Sequence, residues 1–269
     1  MDTQPASSPD NGFDAYAPPR IAAMVENAGV RKANMALLQM LTLGVLAGAF
    51  IGFGAMFYTV VMTEHGLGFG PSRLLGGVAF SLGLILVIIA GAELFTGNNL
   101  IVMAWADRKV STTLLLRNWV LVYMGNLVGA AATAYIAYLA GALDLGGGAV
   151  AKTAAGIATG KVNISFSQAL FRGILCNALV CMAVWLSFAA RHVIGKVAVI
   201  VFPISAFVAL GFEHCIANMY FIPLAMFGGV PGIDVAGFVG NVVPVTIGNI
   251  IGGGGFVALV YWIVYLKKD

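Results

Sequence analysis

Two long hydrophobic segments of this chain carry polar groups at their centres, and both do so with the same spacing. The segment from about Lys196 to Phe227 contains Gly211-Phe-Glu213-His214-Cys215-Ile-Ala-Asn218. It exceeds the ~20 apolar residues that a helix needs to cross a bilayer. Ionisable groups at membrane depth are costly and face a cavity or a partner. Gly211 and Asn218 are poor helix residues, so a break in the helix is expected here. Broken backbone is tolerated at that depth only where protein or a cavity surrounds it. The segment at about 72–104 repeats the pattern as Gly91-Ala-Glu93-Leu-Phe-Thr-Gly-Asn98, each shared residue lying 120 positions before its counterpart. Interrupted hydrophobic segments in matching places of two halves point to a transport site.

The rest of the composition fits a membrane. Of 269 residues, 60% are hydrophobic and 9% charged, against about 25% charged in soluble domains. The chain is therefore an all-α polytopic membrane protein, and a nucleic-acid partner is not expected. Six hydrophobic segments are read at about 36–62, 72–104, 114–141, 166–190, 196–227 and 241–266. The second and fifth are each two half-helices. Residues 1–12 read as a disordered tail, and 13–35 as a short amphipathic helix lying at the membrane surface. The transmembrane domain is 36–266, divided into repeats at about 36–141 and 166–266 by a Gly-rich connection at 141–161. Val122-Tyr-Met-Gly125-Asn126-Leu-Val-Gly129 matches Val245-Thr-Ile-Gly248-Asn249-Ile-Ile-Gly252. Three spans per half make the second repeat inverted. Ten basic residues against four, read across that topology, put both termini in the cytoplasm. Cys176, Cys181 and Cys215 lie in apolar segments without a ligand set, so no metal, cofactor or enzymatic role is expected.

These motifs carry a resemblance. Phe80-Ser-Leu-Gly-Leu84, Glu93-Leu-Phe-Thr96, Asn118-Trp-Val-Leu-Val-Tyr-Met-Gly-Asn126, Gly211-Phe-Glu-His214-x-Ile-Ala-Asn218 and Val245-Thr-Ile-Gly-Asn249 resemble the signature stretches of the formate/nitrite transporter family, in the same order. The resemblance implies an aquaporin-like bundle of six transmembrane helices with helices two and five broken. It implies a homopentamer in the prokaryotic inner membrane, with one pore per protomer for small monovalent anions. Formate is expected first, and nitrite or hydrosulfide is the alternative.

Carried over by motif, His214 is the central pore histidine and Thr96 sits on the loop that breaks the second helix, within hydrogen-bonding reach of it. Phe80 and Phe207 form a constriction on the periplasmic side. Leu84, Leu94, Phe95 and Val180 narrow the cytoplasmic side. Lys161, Asn177, Glu213 and Asn249 are the polar residues around the pore. Taken alone, Lys161 reads as a solvated loop lysine; the resemblance makes it a vestibule cation that attracts anions. Glu93 and Glu213 are expected to brace the broken helices by accepting backbone N–H bonds. His214 is the side chain suited to exchanging a proton near neutral pH, so proton co-transport through it is a further expectation. A neutral-solute pore is the competing class. Against it, the chain lacks the twin Asn-Pro-Ala motifs of aquaporins.

Overall fold

A computed structural model describes residues 15–64 and 66–267. The expected disordered tail at 1–12 lies outside them, as do Lys268 and Asp269. Helix α1 spans Pro18–Ala33, with prolines in its first turn and Arg31 and Lys32 in its last. Proline supplies a pre-set φ where its missing N–H is not needed, and the cations favour the helix C-terminus. Then come α2 (Leu37–Val61) and α3 (Phe69–Leu86), which closes in a π turn at Val87–Gly91. The second half of that span is α4 (Phe95–Asn98), a 3-10 turn at Asn99–Ile101, and α5 (Val102–Ala106). Helix α6 covers Thr112–Leu139.

The second half of the chain follows the same order. Helix α7 (Ala149–Val162) precedes α8 (Phe166–Ala189), which starts on a capping box of Ser165 and Gln168. The broken span is α9 (Val193–Ala209) followed by α10 (Cys215–Phe227). The last span begins with α11 (Val235–Ile250), passes through a π stretch at Ile251–Leu259 and ends in α12 (Val260–Tyr265). No strand occurs among the described residues. Helices α2, α6 and α8, the α3 span and the last span are each long and apolar enough to cross a membrane, and α9 with α10 is the interrupted sixth crossing.

Packing repeats as well. Helix α2 packs on α6 and α3 as α8 packs on α11 and α9, while α3 meets α9 at the centre. The backbones approach closely because small residues line the contacts. A Cβ on Gly129 of α6 would run into the carbonyl of Val45, and one on Gly252 into that of Ile174.

Two stretches differ from the sequence expectation. The connection at 141–161 is not merely a link: after the Gly-rich 3-10 stretch it forms the fourteen-residue helix α7. Helix α11 starts at Val235 rather than about 241, because Asp234 caps it by accepting from Gly237 N at 2.8 Å.

Candidate functional site: a pore between two lysine–carboxylate pairs

Each break in the helices begins at a glycine whose backbone is left-handed, Gly91 at φ 87° and Gly211 at φ 72°. Glycine adopts that region without the steric cost of a Cβ. The chain then runs extended through Leu94 and through His214 before the next half-helix starts.

The exposed N–H groups of these links must find partners in the bundle. Two asparagines supply them. Asn126 Oδ1 accepts from Phe95 N at 2.9 Å while its Nδ2 donates to the carbonyls of Gly44 and Glu93. Asn249 Oδ1 accepts from Cys215 N at 3.0 Å while its Nδ2 donates to the carbonyls of Gly173 and Glu213. The expected bracing role therefore belongs to Asn126 and Asn249. It does not belong to the carboxylates of Glu93 and Glu213, which receive side-chain donors instead. The amide fits better because it accepts and donates at once, whereas a carboxylate only accepts.

The carboxylates sit in two matching networks. Lys161 Nζ reaches both oxygens of Glu213 at 3.1 Å, Asn218 donates to Glu213 Oε2 at 2.7 Å and to Asn241 Oδ1 at 2.6 Å, and Asn241 donates to the carbonyl of Lys161. At the other end Lys32 Nζ reaches Glu93 Oε1 at 2.7 Å, Asn98 donates to Glu93 Oε2 at 2.7 Å and to Asn118 Oδ1 at 2.9 Å, and Asn118 donates to the carbonyl of Lys32. Helix α1 thus does in the first half what α7 does in the second. Lys161 is no solvated loop residue; it stands in the last turn of α7 with its side chain 13% exposed.

Sequence reasoning missed Lys32, Asn118 and Asn241. The signal was present: Lys32-x-Asn34, Gln39 and Gly44 recur with unchanged spacing as Lys161-x-Asn163, Gln168 and Gly173.

Between the two networks lies the histidine. His214 Nε2 is 3.0 Å from Thr96 Oγ1, so the expected pair forms. His214 Nδ1 accepts from Ala217 N at 3.1 Å and caps α10. That second bond fixes the tautomer: the neutral ring carries its proton on Nε2 and donates it to Thr96.

A cavity of about 440 Å³ opens on one side of the ring, towards α7. Lys161, Glu213, Arg73 and Arg172 border it, and Phe80, Phe207 and His214 form its inner end. The rings of Phe80 and Phe207 meet edge to face with centroids 5.7 Å apart. Phe221, 6.5 Å from Phe80, and Tyr58 complete this aromatic cluster. Towards α1 a smaller cavity of about 40 Å³ is lined by Leu84, Leu94, Asn98 and Lys32. Phe95 and Val180 are buried in the same core, but the Phe95 ring packs edge-on against Trp119 and Tyr123. Asn177 lies behind the break and donates to the carbonyls of Thr96 and Asn249 and to Asn99 Oδ1.

Known proteins resemble this chain over most of its length. The formate channel FocA of Escherichia coli strain K12 is 40% identical over 97% of this chain and 98% of its own. A probable formate transporter of Methanothermobacter thermautotrophicus is 45% identical over 88% of this chain and 92% of its own. A solved pentameric formate channel with formate bound superposes with a TM-score of 0.80 at 42% identity, covering 86% of this chain and 98% of that one. The family profile described as formate/nitrite transporter matches residues 19–263. With that match and these relatives, the chain belongs to the formate/nitrite transporter family.

Proposed function

We propose that the protein passes small monovalent anions, formate first, through a pore within each protomer of a homopentamer in the prokaryotic inner membrane. The observation that carries this reading is the Thr96–His214 pair, with His214 on the wall of the larger cavity and Leu94 and Gly97, near Thr96, on that of the smaller, each cavity bordered by a lysine paired with a buried carboxylate. The formate channels among its relatives support the substrate.

A bare anion crossing the two apolar constrictions, Phe80 with Phe207 and Leu84 with Leu94, loses its hydration, which costs several kcal/mol without a compensating donor. Nε2–H of His214 is that donor. An anion arriving at the pair takes the place of Thr96 as its acceptor. Release on the far side as the neutral acid needs one proton. The anion takes it from Nε2 while Nδ1 picks one up from the larger cavity, which His214 and Ala217 line, and the ring is left neutral in its other tautomer, which reverts before the next anion. Nδ1 accepts that proton only by letting go of Ala217 N–H, so proton passage is coupled to loosening the first turn of α10.

The bias of basic residues puts the α1 end in the cytoplasm. A C-terminal reporter active only in the periplasm would contradict that orientation. Flux into proteoliposomes tests the substrate. Formate is expected to enter, with nitrite and hydrosulfide as the comparison anions. Entry of glycerol without any of the three anions would overturn the reading in favour of a neutral-solute pore.

A further inference from the structure

The larger cavity is bordered by three cationic side chains, Arg73, Lys161 and Arg172, and one carboxylate, Glu213. They are not equivalent. Lys161 is committed to both oxygens of Glu213. Arg73 is committed to the end of α9: Nε donates to the carbonyl of Ala209 at 3.0 Å and Nη2 to that of Val208 at 2.7 Å. Those carbonyls carry the negative end of the helix, so much of the Arg73 charge is already answered. Arg172 is different. Its backbone carbonyl accepts from Glu213 N at 3.3 Å, but its guanidinium makes no hydrogen bond or ion pair among the described residues. It is half-buried on the second turn of α8, whose start is fixed by the Ser165–Gln168 capping box.

A guanidinium that is partly withdrawn from water and has no anion of its own is a docking group. It is always charged and presents a planar fork that matches two coplanar oxygens. In a cavity with low-dielectric walls its field draws anions in. We propose that Arg172, rather than Lys161, is the residue that docks the entering anion, and that its fork favours planar two-oxygen anions over single-atom ones. The inference rests on the anion-passage reading above. It assigns Lys161 a different task, neutralising Glu213.

The test is concentration-dependent uptake into proteoliposomes at low salt, for the parent, Arg172→Gln and Arg172→Lys, with formate and hydrosulfide as probes. Arg172→Gln removes the charge and is expected to raise the half-saturating concentration of both anions about tenfold, with maximal flux nearly unchanged, which is the loss of one charge-assisted contact. Arg172→Lys keeps a point charge without the fork. It is expected to raise the half-saturating formate concentration by about fivefold while leaving that of hydrosulfide near the parent value.

Parental half-saturation for formate in both variants overturns the proposal, as does a Lys variant in which formate and hydrosulfide shift equally. If Arg172→Gln fails to assemble by size exclusion, the comparison of the two anions in Arg172→Lys decides alone. A parent protein that carries neither anion would instead overturn the anion-passage reading, so the two failures are distinguishable.

Discussion

Glu213 and Lys161 show how one residue's role depends on its partner. A buried carboxylate that loses its cation is left as an uncompensated charge, a loss of roughly 3–5 kcal/mol. Lys161→Ala is therefore expected to lower the melting temperature of the detergent-solubilised protein strongly, and flux with it. Adding Glu213→Gln, which keeps the acceptance from Asn218, is expected to restore more than half of the lost stability. Losses that simply add in the double variant would mean that the pair is not coupled. His214, Thr96, Phe80 and Phe207 were legible as residues because the motifs around them are dense and ordered. Asn118 and Asn241 were not, because a lone amide in an apolar segment looks like an ordinary interhelical bond. Their meaning comes only from the second acceptor that each reaches, the carbonyl of a lysine far away in sequence. Lys32 was hidden for a related reason: its helix reads as a surface element, and its partner Glu93 lies beyond a whole membrane span.

At the scale of elements, the breaks were visible and their support was not. Glycine and a carboxylate inside an apolar run announce a break, but the residue that holds it open comes from the next helix in the fold. Asn249→Leu removes three hydrogen bonds; Gly173 O stays within the ladder of α8, but Cys215 N and the carbonyl of Glu213, in the broken link, are left buried without the amide. Each orphaned group costs about 1–3 kcal/mol, so a failure to assemble, read by size exclusion, is the expected result. A variant that assembles and melts like the parent would contradict the bracing role. Helix α7 was missed because its glycines and alanines lack an apolar stripe; it is fixed by Lys161 at one end and by a Thr63–Thr153 hydrogen bond near the other. Helix α1 carries its own pH signature. Glu26 is buried on it, bonded to Lys109, which also pairs with Asp107 at 3.0 Å. Burial, only partly offset by Lys109, raises the Glu26 carboxyl above its ordinary value of 4.5. A raised carboxyl contributes stability that is full below the ordinary value and fades as pH rises through the raised one. The stability of Glu26→Gln relative to the parent is thus expected to increase with pH from about 4.5 upwards. Melting curves across that range test it, and a difference independent of pH would remove Glu26 as the titrating group.

At the scale of the molecule, large apolar side chains such as Leu38, Phe69, Ile136, Phe171 and Phe202 are exposed on the outside of one protomer. Lipid and neighbouring protomers are the surroundings that suit them, and native mass near five times 27.9 kDa is expected in mild detergent. A monomer under those conditions would contradict the pentamer. The bundle of six crossings and its inverted halves were readable from hydropathy and from two repeated motifs, because membrane helices must satisfy their own backbone. What hydropathy left out is the pairing across the halves, Thr96 from the first with His214 from the second. Proton-coupled passage of the anion rests on that pair. Replacing His214 by Asn keeps a cap for Ala217 N, since asparagine is a good N-cap, and keeps a donor towards Thr96, but removes the group that exchanges a proton. Formate uptake and efflux in proteoliposomes from about pH 5 to 8 is the direct measurement. His214→Asn is expected to assemble like the parent and to lose uptake most at the acid end of that range. Superimposable pH profiles at equal incorporation would show that His214 only caps a helix.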